Sequence, residues 1–441
     1  MIVMKFGGSS VADAERIRSM ADIVRQYMLR HPVLVLSAMG DTTDYLLEAA
    51  DLALKEGVVS IHKIEEPHRK AIEELRLDVE MTPLIEELKN LLLGISMIKE
   101  LTKKTKDYLV SFGERLSVRI VSAYFRKIGI NAKPIDAWEA GFLSDDNYSQ
   151  AWLLKESWEL IPQRLLPLIE KGVLPIVTGF IAKTKDGVIT TLGRGGSDLT
   201  ATVIAAACGA EEAQVWKDVD GILSGDPHIV PSAKPLSVIT YEEAAELAYY
   251  GAQVLHPRAM QPCAKTDVPV LVKNSYNPSA PGTRIVSTVE KNATPKPVRA
   301  ITTRRDVTMV DITSTRMMGQ SGFLEQVFAA FSRYGISVDI VATSEVSVSV
   351  TLDAAYNLDR TREDLLKIAH VDIKIGKAII TIIGDVERSS EILSRACGVC
   401  FELGVQVQMI SQGASKVNIS FIVEDTQAVD VVRGLHKEFF D

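Results

Sequence analysis

Short apolar runs alternate with amphipathic stretches through the first 290 or so residues of the chain. Met1–Phe6 and Val33–Ser37 read as buried strands, and the segment between them, Ala12 to Leu29, spaces its apolar residues as a helix does. Leu174–Thr178 and Gln214–Trp216 continue the series of strands, and Val268–Lys273 closes it. Helical patterns lie between, among them Ser197–Cys208 and Tyr241–Tyr250. Strands alternating with helices predict βαβ units and an α/β fold, a mostly parallel sheet covered by helices on both faces. The charged helical tract from Val58 to Lys106 reads as an insertion outside that sheet, its charges a solvated face.

The pattern changes after Asn277-Pro278-Ser279-Ala280-Pro281-Gly282, and Asn292–Pro297 reads as a linker. Beyond it the sequence repeats. Val307–Ser314, a helix Gly322–Tyr334, then Gly335–Ile340 and Glu345–Leu352 give a β-α-β-β order. Ala378–Ile383, a helix Ser390–Leu403, then Gly404–Met409 and Lys416–Val423 give it again. The expected organisation is a large α/β domain over 1–290 and two similar modules over 298–375 and 376–441. Such modules leave sheet edges that favour pairing between modules or between chains.

Composition narrows the function classes. The chain has 441 residues, too many for one ordinary core, and a formal net charge of −8, which argues against a non-specific nucleic-acid binder. No apolar stretch is long enough to cross a bilayer, and Met1–Phe6 does not read as a secretory leader. Four cysteines fit a reducing compartment, and a cytoplasmic location is the expectation. Cys397 and Cys400 form a CxxC inside a helical run with no second ligand pair, which reads as packing. The seven histidines show no metal-ligand spacing, so no protein-held metal is expected, and His256 before Pro257 reads as structural.

Two glycine-rich turns carry the candidate chemistry. Lys5-Phe6-Gly7-Gly8-Ser9-Ser10 stands where a strand gives way to a helix. The glycines allow close backbone approach to an anion, the helix start adds partial positive charge, and Lys5 adds a full one. A tight turn with no ligand would use the same glycines, and neither a Walker A motif nor a GxGxxG is present. Thr191-Leu192-Gly193-Arg194-Gly195-Gly196-Ser197-Asp198 also precedes a helix. An arginine among three glycines suits bidentate capture of a ligand carboxylate, while Ser197 or Asp198 could simply cap the helix. Ser37, Thr43 and the Ser111-Phe112-Gly113-Glu114-Arg115 segment are weaker candidates. Trp216 to Pro227 packs turn formers with acidic groups as a nucleotide-binding loop might, without the ligand spacing of an EF-hand.

Taken in order, these motifs and Tyr249–Pro257 resemble the aspartate kinases of the amino-acid kinase superfamily. Gly335–Asp353 and Val407–Ser420 resemble the two ferredoxin-like ACT modules of that family, in its monofunctional, lysine-sensitive branch. No fused homoserine dehydrogenase is expected beyond Asp441. The resemblance implies transfer of the γ-phosphoryl group of ATP, with Mg²⁺, to the side-chain carboxylate of L-aspartate. It makes Lys5 and Asp198 the catalytic pair, with Arg194 and Glu114 holding the α-carboxylate and α-amino group and Ser37, Thr43 and Ser197 nearby. Lys5, Gly7, Gly8, Ser9, Lys217, Asp218, Ser224 and Asp226 would surround the nucleotide. Leu223, His228 and Gln253 depart from the family pattern on that side, and Lys273 is a candidate replacement charge.

The resemblance also implies L-lysine as effector and a homodimer or dimer of dimers through the ACT modules. In the first module, Met317 and Gly322-Phe323-Leu324 would offer backbone groups at a helix start to the lysine carboxylate. Ser337-Val338-Asp339 and Thr343-Ser344-Glu345 would bring two carboxylates to its ammonium groups. The competing readings are a related kinase acting on glutamate, acetylglutamate or a nucleoside monophosphate, and a catalytically silent amino-acid sensor.

Overall fold

The computed structural model describes residues 1–249, 255–289, 296–317, 321–352, 357–413 and 415–441, and the side chain of Arg316 is outside that set. The chain divides into two compact units: 1–222 with 237–241 and 254–289, and 223–236 with 242–253 and 290–441. The division therefore does not follow a single cut near 290. Two short segments that lie early in the sequence belong with the C-terminal unit, and the linker expected at Asn292–Pro297 falls mostly outside the described residues.

Among the described residues the first unit holds an eight-stranded sheet. Its order is Ala132–Ile135, Leu174–Thr178, Pro32–Leu36, Ile2–Phe6, Ala213–Lys217, Val270–Asn274, Thr283–Val286, Val238–Thr240. Ile2–Phe6 and Pro32–Leu36 are buried throughout and pair in parallel, as uninterrupted apolar runs must when helices cover both faces. Thr283–Val286 joins Val270–Asn274 antiparallel. The helix after the first strand spans Ala14–Gln26, where Asp13 accepts a hydrogen bond from the Arg16 N–H as its N-cap.

The Val58–Lys106 tract is helical, as the pattern predicts, yet it is part of the core. His62–Leu75 and Thr82–Ile98 turn Ile64, Leu75, Leu88, Leu92 and Ile95 into the same apolar cluster as Ile2 and Leu34. Only the outward faces carry charge pairs such as Arg69 with Glu66 and Glu73. The tract then runs into a 25-residue helix, Lys103–Lys127, whose inner face is almost wholly buried and carries Glu114.

The second unit is built on a six-stranded antiparallel sheet, in the order Val338–Thr343, Ser347–Leu352, Val298–Thr313, His370–Gly384, Asn418–Glu424, Met409–Ser411. Two long strands are shared by both repeats. Ala300–Arg304 pairs with Ile379–Ile383, and after an irregularity at Asp306, Met309–Thr313 pairs with His370–Lys374. The opening residues of the Val298–Thr313 strand thus lie in the second repeat's sheet, and its end lies in the first. Helices Phe323–Arg333 and Leu358–Leu366 pack one half, and Ser389–Glu402 and Ala428–Phe440 the other. Gly404–Met409 is not the strand its alternation suggested. Val405 turns into the core and its N–H donates to the Cys400 carbonyl, so pairing begins only with the Gln408 N–H, which donates to the Ile422 carbonyl. Cys400 is buried in that core and Cys397 is exposed, in keeping with packing. No helix among the described residues is long and apolar enough to cross a membrane.

Candidate active site

The C-terminal ends of the central strands surround a cavity of about 540 Å³. Ile2–Phe6 delivers Lys5 to its floor, and the first turn of the helix Gly196–Ala207 delivers Asp198. Lys5 Nζ lies 2.7 Å from Asp198 Oδ1, and Lys217 Nζ, at the end of Ala213–Lys217, lies 3.7 Å from Oδ2. Burial acts to raise the Asp198 pKa, but the two ammonium groups outweigh it and hold the carboxyl below its ordinary value. Burial lowers the pKa of Lys217, and Asp198 opposes the change. The cluster is a carboxylate fixed between two cations, one positive charge in excess, beside a helix N-terminus. That arrangement suits a multiply charged phosphate.

Gly8 is required by the turn. A Cβ there would stand 2.8 Å from the Gly40 carbonyl oxygen and 2.9 Å from that of Ala38, so only glycine lets the first and second strand-end loops meet. The loop before Asp198 has a similar constraint at Gly195, which has φ +72° and would place a Cβ 2.7 Å from the His256 Cβ. His256 itself caps the helix Pro257–Thr266, its Nδ1 accepting from the Arg258 N–H, so its role here is structural. Burial and the nearby Arg194 and Arg258 guanidinium groups keep its pKa below the usual histidine range.

The opposite wall is chemically distinct. Arg194 is exposed on its glycine loop and has no ion-pair partner among the described residues. Glu114 is buried: Oε1 accepts from the Ala38 N–H at 3.3 Å, while Oε2 has no hydrogen-bond partner. Desolvation pushes the Glu114 carboxyl up to about 8, against the pull of that backbone donor and of Lys5. Ser37, Thr43 and Ser197 line the same space. An unsatisfied buried carboxylate and an uncommitted guanidinium facing one cavity fit a ligand carrying both an ammonium and a carboxylate.

Sequence reasoning missed Asp107, which also lines the cavity and is 1% exposed. Its carboxylate accepts from the N–H and hydroxyl of both Ser149 and Thr191, at 2.8 to 3.1 Å. It thereby anchors the strand from which the Arg194 loop departs. Ser149, Phe180 and Lys106 are further cavity residues that no motif indicated, although the positive φ of Ser149 marks a specialised turn.

The amino acid kinase family model matches residues 1–274, and an ACT domain model matches 310–358 and 380–439. The chain is 51% identical to Aspartokinase 1, chloroplastic, of Arabidopsis thaliana, over 100% of this chain and 80% of the relative. It is 34% identical to Lysine-sensitive aspartokinase 3 of Escherichia coli, over 100% and 99%. The chain belongs to the aspartokinase family. Solved aspartokinases share the fold over their full length: E. coli aspartokinase III in complex with aspartate and ADP superposes with a TM-score of 0.83 at 32% identity. The Clostridium acetobutylicum aspartate kinase does so at 0.85 and 26%, each pair covering 100% of both chains. Like its relatives, this aspartokinase is an ATP-dependent phosphotransferase with a carboxyl acceptor.

One of the expected nucleotide residues needs correction, and another serves its own turn. Ser224 is fully buried in the second unit, its hydroxyl paired with His436 Nε2 at 2.9 Å and accepting from the Lys234 N–H. Buried there and held by both groups, it is not open to a nucleotide. Asp226 lies in the same segment, where it accepts from the His228 N–H and faces the His228 ring, so it caps its own turn. Gly7, Ser9 and Asp218 remain beside Lys5 and Lys217 on the strand ends. Lys273 stacks over the Trp216 indole, 5.2 Å from its centroid, and Gln253 lies outside the described residues.

In the aspartokinase ACT unit, the expected effector residues separate into used and unused groups. Asp339 is paired within the unit, accepting from Tyr249 Oη at 2.5 Å and from Arg304 at 3.2 Å, so a ligand ammonium group would have to displace them. Ser344 closes the hairpin turn to Ser347, and Thr343 and Glu345 are exposed there. Gly322, φ +87°, caps the helix that starts at Phe323. Met317, Leu324, Ser337 and Val338 lie on adjoining segments, while 318–320 fall outside the described residues.

Proposed function

We propose that the acceptor is L-aspartate, phosphorylated on its β-carboxylate by ATP to give 4-phospho-L-aspartate. The observation that carries this reading is the pairing, across one cavity, of the orphaned Glu114 carboxylate and Arg194 with the Lys5–Asp198 cluster. Glu114 takes the α-ammonium group, Arg194 the α-carboxylate, and Ser37, Thr43 and Ser197 donate to the acceptor. The side-chain carboxylate then points toward the strand ends, where Lys5 stabilises charge on the phosphoryl oxygens as it transfers. Asp198 holds Lys5 and Lys217 in place. The nucleophile is ionised at neutral pH, so positioning and charge stabilisation suffice without a general base.

Gly7, Gly8 and Ser9 supply the phosphate-binding turn, and Lys217 and Asp218 flank the nucleotide. Asp198 and Asp107 are committed to lysines and to backbone and hydroxyl donors, so an Mg²⁺ here suits delivery on the ATP phosphates, where it would neutralise their charge. Trapping of acyl phosphate with hydroxylamine tests the acceptor. L-Aspartate is expected to give hydroxamate and L-glutamate almost none; comparable product from both would overturn the assignment.

Feedback inhibition by L-lysine is the second part of the reading. It is supported by the ACT repeats and by the lysine-sensitive E. coli relative, whose structure has been solved with lysine and aspartate. Met317, Gly322–Leu324, Ser337–Asp339 and Thr343–Glu345 form the proposed cradle, with lysine displacing Arg304 and Tyr249 from Asp339. Such binding inhibits only to the extent that it prefers an inactive arrangement. Association through the ACT unit into a homodimer or larger assembly belongs to the same proposal, and light scattering of the purified chain tests it.

A further inference from the structure

A second cavity, of about 410 Å³, lies in the first unit on the other side of the helix Lys103–Lys127. Its walls come from Thr82–Ile98, the first turns of Lys103–Lys127 and the hairpin Ile181–Thr191. Three cations reach it, Lys104, Arg115 and Lys183, against one carboxylate, Glu87. Glu87 is occupied by the Tyr108 hydroxyl and by Arg115, at 3.1 Å. Neither Lys104 nor Lys183 has an ion-pair partner among the described residues. Arg115 is 9% exposed, and its buried Nε has no hydrogen-bond partner.

Most of the rest of the lining is apolar. The Trp138 ring lies beneath Lys183 Nζ, which is 4.3 Å from the indole centroid, and Leu91, Val188 and Ile189 continue the surface. A pocket of this size with an apolar floor, an excess of cationic heads and a buried guanidinium nitrogen left unsatisfied is built like a ligand site. We infer that it binds a small organic carboxylate whose apolar body lies against Leu91, Val188 and Ile189 beside Trp138 and whose carboxylate meets Lys104 and Lys183 at the mouth. The site is separate from the acceptor cavity. Lys106, Asp107 and Glu114 face that cavity from the same helix, whereas Lys104, Tyr108 and Arg115 face this one.

The test is calorimetric titration of the full chain with naphthoate as the probe, and with the neutral naphthalenemethanol and inorganic phosphate as controls. Naphthoate is expected to bind with a Kd below about 1 mM, and to bind equally well with saturating L-aspartate present and in Arg194→Ala. The Lys104→Ala/Lys183→Ala pair, one exposed and one half-buried and both outside the proposed catalytic machinery, is expected to weaken it about tenfold or more. Circular dichroism of that variant distinguishes lost charge from lost fold. Equal affinity for naphthalenemethanol would remove the anion requirement, and competition by phosphate alone would change the ligand class. Loss of binding with aspartate or in Arg194→Ala would reassign the probe to the acceptor cavity, and no binding at all would end the proposal.

Discussion

Glu114→Gln gives the most exacting test of the acceptor site. In the free protein, burial raises the Glu114 pKa from 4.5 to about 8, so at pH 7 the group is mainly protonated. An incoming amino acid keeps its α-ammonium group through this range, and pairing with it requires the carboxylate. Aspartate binding therefore expels a proton from Glu114 below pH 8, and its apparent KM is expected to fall by about tenfold per pH unit from pH 6 toward 8. Glutamine mimics the protonated acid, keeps a carbonyl for the Ala38 N–H and cannot ionise. Its KM should be nearly flat with pH and, at pH 8, about ten- to a hundredfold above wild type. Folding stability follows the opposite sign from a salt-bridged acid. The folded state holds a proton that the unfolded state releases above its pKa of about 4.5, so the wild type loses stability progressively from pH 4.5 until about 8 and no further. The shift corresponds to roughly 4–5 kcal/mol, and Glu114→Gln should recover much of it at pH 8 and little at pH 5. Initial rates against aspartate at fixed saturating ATP, with urea melts at both pH values, measure both effects. A pH-independent wild-type KM, or an unchanged slope in the variant, would refute the reasoning.

Other outcomes follow from the same geometry. Lys5→Ala and Asp198→Ala should each lower kcat by about a hundred- to a thousandfold in folded protein, read from steady-state rates, because a preorganised charge at the transferring group is lost. Arg194→Ala should raise the aspartate KM, and an unchanged value would take Arg194 out of the acceptor site. Ser224→Ala should leave the ATP KM unaltered while lowering stability by about 1–3 kcal/mol in denaturant melts, because buried His436 loses its partner. Arg304→Ala should make lysine inhibition stronger and Asp339→Ala weaker, as seen in lysine titrations at saturating aspartate; equal sensitivity in both would place the effector elsewhere.

The residues that could be read from sequence are those whose neighbours in the chain constrain them. Lys5 with Gly7-Gly8, and Arg194 between glycines, are local signals of a strand ending against a ligand, and the structure brings both to one cavity. Asp107 was hidden because it ends a run of lysines and threonines that reads as a wet helix face, and its four partners are 42 and 84 residues away. Ser224 failed for the converse reason. Its loop has the acids and turn formers of a nucleotide loop, but a histidine 212 residues later takes the hydroxyl. The charged Val58–Lys106 tract is helical, outside the sheet and charged on its outer face, as read, but periodicity reveals an apolar face without saying which core receives it. Long-range pairing was the missing term each time.

The division of the chain into interwoven units bears on how such a protein can change over generations. Segments 223–236 and 242–253 belong with the C-terminal unit although they are encoded between parts of the kinase unit. A stop codon near 290 would strand Val230, which is packed with Ile301, Ile380 and Phe421, along with the rest of those segments, exposing apolar surface and inviting aggregation. The sensing half is therefore a poor cassette for loss by truncation or exchange by recombination at one junction. Escape from the proposed feedback is more accessible through single substitutions in the C-terminal unit than through deletion, and breeding or strain selection should recover missense alleles far more often than nonsense ones.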